Sequence, residues 1–306
     1  MKALKIIGIV LAVLIVLIAL LVFRILTAPI VPNNYAKTAE TGGTLEAAYL
    51  AAGPYKVKYW EEQTAEPLEK YEVYYPEALE QEGGKYPAVV FVNGTGVLAS
   101  KYNALFRLLA SCGFIVLGNE DPCTWTGQSA DQTLAYIAAE NSREGSIFHN
   151  RVDLENIGIS GHSQGGAGVF NAITAQEHSA LYKTAVALSP TCDTAAAALG
   201  WTYDLAEITI PTLLLAGAND DFETQMVIPL EAMERMYEQI PAPKAMARKT
   251  SLGHGQTLYA ADGYVTAWFL WRLQGDEEAA AAFTGESPEI LRNPLYQDQR
   301  LAVDQG

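Results

Sequence analysis

A serine hydroxyl attacks a carbonyl carbon only when a base takes its proton, so the informative pattern is a Ser with a His in reach. Gly161-His162-Ser163-Gln164-Gly165 matches G-x-S-x-G. It follows a short apolar run at residues 157–160 and precedes a helix-like stretch of small residues at 166–175. That context suits a nucleophile elbow, a tight strand-to-helix turn that lifts the hydroxyl clear of a sheet. Its glycines let strand and helix pass closely, and the helix start offers free N–H groups. The chain has four histidines. His149 and His178 fall at the far ends of their elements, and His162 is bound into the turn beside Ser163. His254, in Ser251-Leu252-Gly253-His254-Gly255, follows the last predicted strand on the correct face and is the expected base. An elbow of this type is followed in chain order by the acid and then the His. Asp220 ends the apolar run at 212–215 and its loop, and is the expected acid, with adjacent Asp221 as its rival. The oxyanion formed by attack needs two preset donors. The amide of Gln164 is one. The other is expected from Asn93-Gly94-Thr95-Gly96: Thr95 first, Gly96 second.

These residues need elements to hold them. Residues 55–59 and 71–75 read as two early strands. Short apolar runs at 88–92, 114–117, 157–160, 184–188, 212–215 and 245–249 read as buried strands. Helical stretches at 104–110, 132–139, 166–175, 227–239 and 264–273 separate them. The alternation predicts an α/β fold, a mostly parallel sheet with helices on both faces. Ligand chemistry then belongs at the carboxyl ends of the strands, where Ser163, Asp220 and His254 all fall.

Half of the 306 residues are apolar, and only 18% are charged, which excludes a disordered chain. Residues 6–23 contain no charged residue; Lys2 and Lys5 precede them and Arg24 follows. The length suits one transmembrane helix with its N-terminus in the cytoplasm. The alternative is a cleaved secretory signal, but no small-x-small site ends the run. The net charge is −15 overall and −18 outside residues 1–28, which hold three basic residues and no acidic one. Such a balance excludes a general nucleic-acid binder and disfavours lying flat on anionic lipid. The expected organisation is an anchor at 1–28, a tether at 29–43 rich in Pro, Asn and Gly, a catalytic domain at 44–275 and a polar tail at 276–306. The domain is expected on the extracytoplasmic side, or secreted if the signal is cleaved. In that setting a disulfide between Cys123 and Cys192 is chemically allowed and is left open by the sequence, while Cys112 is expected to pack as a small apolar residue. No Cys, His and acid cluster has metal spacing, and no cofactor or metal is expected.

Gly53-Pro54-Tyr55, Tyr74-Tyr75-Pro76, Asn93-Gly94-Thr95-Gly96, the elbow with Gly166, Asn219-Asp220 and Gly253-His254 occur in one order. Over residues 44–274 the chain resembles the α/β-hydrolase branch of bacterial cutinases, polyester hydrolases and chlorophyllase-like or dienelactone-hydrolase-like esterases. The resemblance implies a Ser163–Asp220–His254 triad and an oxyanion hole from the Thr95 and Gln164 amides. It also marks departures. Polyester-degrading members carry an aromatic residue at Thr95, Met at Gln164 and a cleft Trp at Thr191. Trp125 and Trp201, in loops at the active-site end, are placed to supply an apolar wall instead. The expected function is cleavage of a small or lipid-like carboxylic ester through an acyl-enzyme. The alternatives are a lipase or platelet-activating-factor-acetylhydrolase-like enzyme with the same triad, and an inactive surface binding protein.

Overall fold

A computed structural model describes residues 28–81 and 83–303. Nine strands form one sheet in the order β1-β2-β4-β3-β5-β6-β7-β8-β9. In chain order they are β1 Val57–Gln63, β2 Lys70–Pro76, β3 Tyr86–Val92, β4 Ile115–Asn119, β5 Val152–His162, β6 Tyr182–Leu188, β7 Thr212–Gly217, β8 Lys244–Lys249 and β9 Tyr296–Ala302. The six strands β4-β3-β5-β6-β7-β8 run parallel, and β1, β2 and β9 add antiparallel edges. Every residue of β3, β4 and β7 is buried, as continuous apolar runs covered on both faces require.

Alternate side chains of β3 feed two cores. Ala88, Val90 and Val92 belong to the core that also takes in the helices Gln128–Ser142 and Gln164–Thr174 and, further along the sheet, Leu230–Gln239. Val89 and Phe91 belong to the core on the other face, which takes in the helices Asn103–Ser111 and Asp262–Gln274. This is the predicted layering, an α/β architecture of the α/β-hydrolase kind. Its carboxyl-end loops carry the elbow, the turn after β7 and the turn after β8.

The transmembrane helix expected at 6–23 lies outside the described residues; among the described residues no helix is long and apolar enough to cross a membrane. Residues 29–43 are not a free tether. Val31 and Tyr35 are buried, the Ile30 amide donates to Lys101 O, and the Tyr35 hydroxyl donates to Asp262 at 2.5 Å. Pro, Asn and Gly there signal the lack of long regular structure, not the lack of burial. The 276–306 tail also belongs to the body: Ala279, Ala282, Phe283 and Ile290 are buried, and β9 pairs with β8. A buried ion pair ties both ends together. Lys249 Nζ meets Glu46 Oε1 at 2.7 Å, and Glu46 also accepts from Asn293 and Tyr296 of the tail. Cys123 and Cys192 do not pair. Cys123 is exposed, and Cys192 is buried with its Sγ 3.4 Å from Thr194 Oγ1.

Candidate active site

Strand β5 ends at His162, and the helix Gln164–Thr174 begins one residue later, so Ser163 alone makes the turn. Its φ of 61° and ψ of −120° lie where a residue with a side chain is seldom found. The surroundings hold it there. The Ser163 amide donates to Leu188 O, and its carbonyl accepts from Gly166 and Thr191. A Cβ at Gly165 would sit 2.2 Å from Val92 O, so only glycine lets the helix start against β3.

Ser163 Oγ lies 3.0 Å from His254 Nε2. The other ring nitrogen, Nδ1, is 2.7 Å from Glu223 Oε2. A carboxylate only accepts, so Nδ1 carries the proton and Nε2 is free to accept from the serine hydroxyl. Glu223 is fully buried. Its Oε1 accepts from the Gly217 amide at 2.7 Å and from the Ser189 hydroxyl, so its charge is met by three donors in all.

The acid at the histidine is therefore not the expected Asp220. Asp220 does stand at the end of β7, but its oxygens accept backbone amides: Oδ1 from Glu223 at 2.7 Å, Oδ2 from His254 at 2.9 Å. Those amides, Glu223 first, hold the Asp220 carboxyl below its ordinary range. Asp221 is exposed and accepts from Gln225. The substitution of one acid for the other has a local cause. After Asp220 the chain enters a π-helical turn, Phe222–Val227, whose wide winding turns Glu223 inward below the histidine. Nothing in the residue order signals that turn; a Glu three residues past the expected Asp is the only trace of it.

His162 packs on His254 with ring centroids 4.5 Å apart, and its Nε2–H donates to His254 O at 2.8 Å. Burial first, and then the neighbouring imidazole, push its pKa down to about 3. It stays neutral and takes no proton from Ser163 at ordinary pH. His178 sits against Asp131 at 3.1 Å, ahead of β6.

Thr95 is exposed beside Ser163 in the same cavity. The Gly96 amide donates to Pro122 O, which removes the second-choice donor. Asn93 Nδ2 holds this loop by donating to Asn119 O and Asp121 O. The Gln164 amide opens its helix, among the N–H groups that have no intrahelical acceptor. The Gln164 side chain is buried and accepts from the Thr124 amide at 2.8 Å, so it faces away from the cavity.

The cavity over Ser163 has a volume of about 780 Å³. Ile30, Val97, Phe222 and Leu258 give it an apolar lining, with Phe222 edge-on to the His254 ring at 5.1 Å. Trp125, Thr191 and Trp201 are not among its lining residues. Thr191 is buried behind the elbow, with its carbonyl bonded to Tyr203. Trp125 and Trp201 are half-buried, and the Trp125 carbonyl accepts from Asn171. Loop position did not bring Trp125 and Trp201 to the site, and the family resemblance did not bring Thr191 there. Ile30 and Phe222, which no sequence pattern singled out, stand there instead. Among the described residues no group of three or more His, Cys, Asp or Glu is arranged to hold a metal ion.

A serine on a strained elbow, hydrogen-bonded to an imidazole whose far nitrogen rests on a buried carboxylate, can transfer an acyl group. The comparisons with known proteins point the same way. A stretch of 120 residues is 29% identical to chlorophyllase type 0 of Chenopodium album and covers 34% of each chain. Another of 178 residues is 25% identical to cutinase est2 of Thermobifida alba, covering 56% of this chain and 51% of that one. The chain thus spans about a third and about half the length of these two curated relatives. The PET hydrolase-like family model matches residues 33–263, from the docked N-terminal segment past His254. The chain belongs to the PET hydrolase-like family, within the α/β-hydrolase superfamily.

Proposed function

We propose that this protein is a serine esterase that cleaves carboxylic esters through an acyl-enzyme. The observation that carries the proposal is the His254 bridge, 3.0 Å to Ser163 Oγ on one side and 2.7 Å to Glu223 on the other. Ser163 Oγ attacks the ester carbonyl carbon while its proton passes to His254 Nε2. Glu223 stabilises the imidazolium and fixes its tautomer. The amides of Thr95 and Gln164 receive the oxyanion. His254 then protonates the departing alcohol, and water, deprotonated by the same nitrogen, releases the acid and restores Ser163.

The apolar lining favours esters with a hydrocarbon acyl or alcohol part, small or lipid-like. Of the three positions at which polyester-degrading relatives are aromatic or Met, only Thr95 borders the cavity. Gln164 and Thr191 turn elsewhere, so their polarity says little against a bulky substrate. The family and the cutinase likeness support export from the cytoplasm, with the 6–23 run either retained as an anchor or removed as a signal. Fractionation of cells with an antibody to the C-terminus separates the two.

Ser163→Ala is expected to abolish hydrolysis of p-nitrophenyl butyrate and labelling by a fluorophosphonate, with an unchanged melting temperature. Undiminished turnover in that variant would overturn the proposal.

A further inference from the structure

Asp220 occupies the strand end expected of a triad acid, yet neither of its oxygens meets the His254 ring. We infer that Asp220 is a positioning residue, a two-oxygen clamp that fixes the backbone of the base relative to the backbone of the acid. This rests on the esterase reading of Ser163, His254 and Glu223.

Each carboxylate oxygen takes one amide: Oδ1 that of Glu223 at 2.7 Å, Oδ2 that of His254 at 2.9 Å. The two amides lie 31 positions apart in the chain, and one rigid planar group spaces them. Charge-assisted bonds of this kind are short and directional. The Asp220 carbonyl also accepts from the Thr224 amide and hydroxyl, which fastens the clamp to the π-helical turn. Gly253 leaves the approach open, since a Cβ there would stand 2.0 Å from Asp220 Oδ2. On the opposite side His162 Nε2–H donates to His254 O. Residue 254 is therefore gripped at both its amide and its carbonyl, and its two ring nitrogens are left to meet Ser163 and Glu223. The clamp touches no reacting atom; it acts through His254.

The full chain is assayed with p-nitrophenyl butyrate, and the downfield proton resonance of His254 Nδ1–H is recorded without substrate. Glu223→Gln, which removes the ring's acceptor, is expected to lose the resonance and on the order of 10³–10⁴ in kcat. Asp220→Asn is expected to keep the resonance, with faster exchange against solvent, and to lose about tenfold to a hundredfold in kcat at unchanged KM, as a slightly misplaced base would. Gly253→Ala is a second test should Asp220→Asn not fold. It leaves the carboxylate charged but displaced, and the same loss with the resonance retained is expected. If Asp220→Asn erases the resonance and matches Glu223→Gln, Asp220 is the acid and the inference falls. Wild-type kcat in both Asp220→Asn and Gly253→Ala also overturns it. A wild-type protein that cleaves no ester would instead remove the esterase reading, while the resonance would still report which carboxylate holds the ring.

Discussion

The two halves of the site are built in different ways. On the serine side the turn itself is local: β5 ends at His162, Ser163 turns, and a helix starts at Gln164. On the base side nothing is local. His254 is held by Glu223 and Asp220 from the turn after β7 and by His162 from the elbow. The elements behind it lean on the N-terminal segment. Asp262, two residues past the helix His254–Ala260, meets Tyr35; Lys249, at the end of β8, meets Glu46, Glu40 O and Ala260 O. A turn dictated by sterics is recognisable in any sequence that contains it. A hydrogen-bond network assembled from distant segments is recognisable only after folding.

The largest effect is expected from one methyl group added at the elbow. Gly165→Ala places a Cβ 2.2 Å from Val92 O, a backbone atom of β3 at the position paired with Gly161 of β5. Strand or helix must move, at a cost of about 1–3 kcal/mol for overpacking. Ser163 moves with the helix, and because an ångström of misplacement costs about a hundredfold, activity is expected to fall at least that far. A melting curve and kcat measured together check it. A neutral result would show that the elbow is less tightly specified than its glycines imply.

The legibility of the sequence follows the same division. The meeting of Ser163 and His254 is legible because G-x-S-x-G carries its own steric logic and because His254 is the histidine that follows a strand on the correct face without being bound into the turn. The parallel sheet was readable from its apolar runs. The acid was misread because Asp220 and Glu223 are both near the end of β7, and a π-helical turn decides which one points inward. Trp125 and Trp201 rest on loop position, which fixes an end of the sheet but not a direction, and Thr191 rests on the family resemblance, which gives a position in the chain but not where this side chain points. The segments at 29–43 and 276–306 looked like tether and tail because their apolar residues are few. Val31, Tyr35, Phe283 and Ile290 are nonetheless enough to dock them.

A smaller effect is expected at the seam between the halves. Gln164 Oε1 accepts from the Thr124 amide, tying the elbow helix to the loop after β4. Gln164→Met places there the residue found in polyester-degrading relatives and leaves a buried N–H without its partner. The expected cost is about 1–3 kcal/mol of stability. Since the side chain faces away from the cavity, kcat on a short ester is expected to change little. A large loss of kcat with intact stability would mean that Gln164 reaches the substrate after all.

The smallest effect probes the remote supports of the base side. Burial pushes the Asp262 carboxyl up to about 8, against the opposing influence of the Tyr35 hydrogen bond and the Lys249 charge. In the unfolded chain an Asp titrates near about 4. Between those values the folded protein holds a proton that the unfolded chain has released. This group's contribution is therefore fully present below about pH 4 and is lost progressively as pH rises towards about 8. Asp262→Asn keeps an oxygen for the Tyr35 hydroxyl and does not titrate. The melting temperature of the wild type is expected to fall more steeply than that of the variant between about pH 5 and 8. Parallel slopes would mean that Asp262 is charged when folded and that the N-terminal segment docks through a different balance of charges. The measurement needs no substrate, so it reports on the scaffold of the base side independently of any turnover.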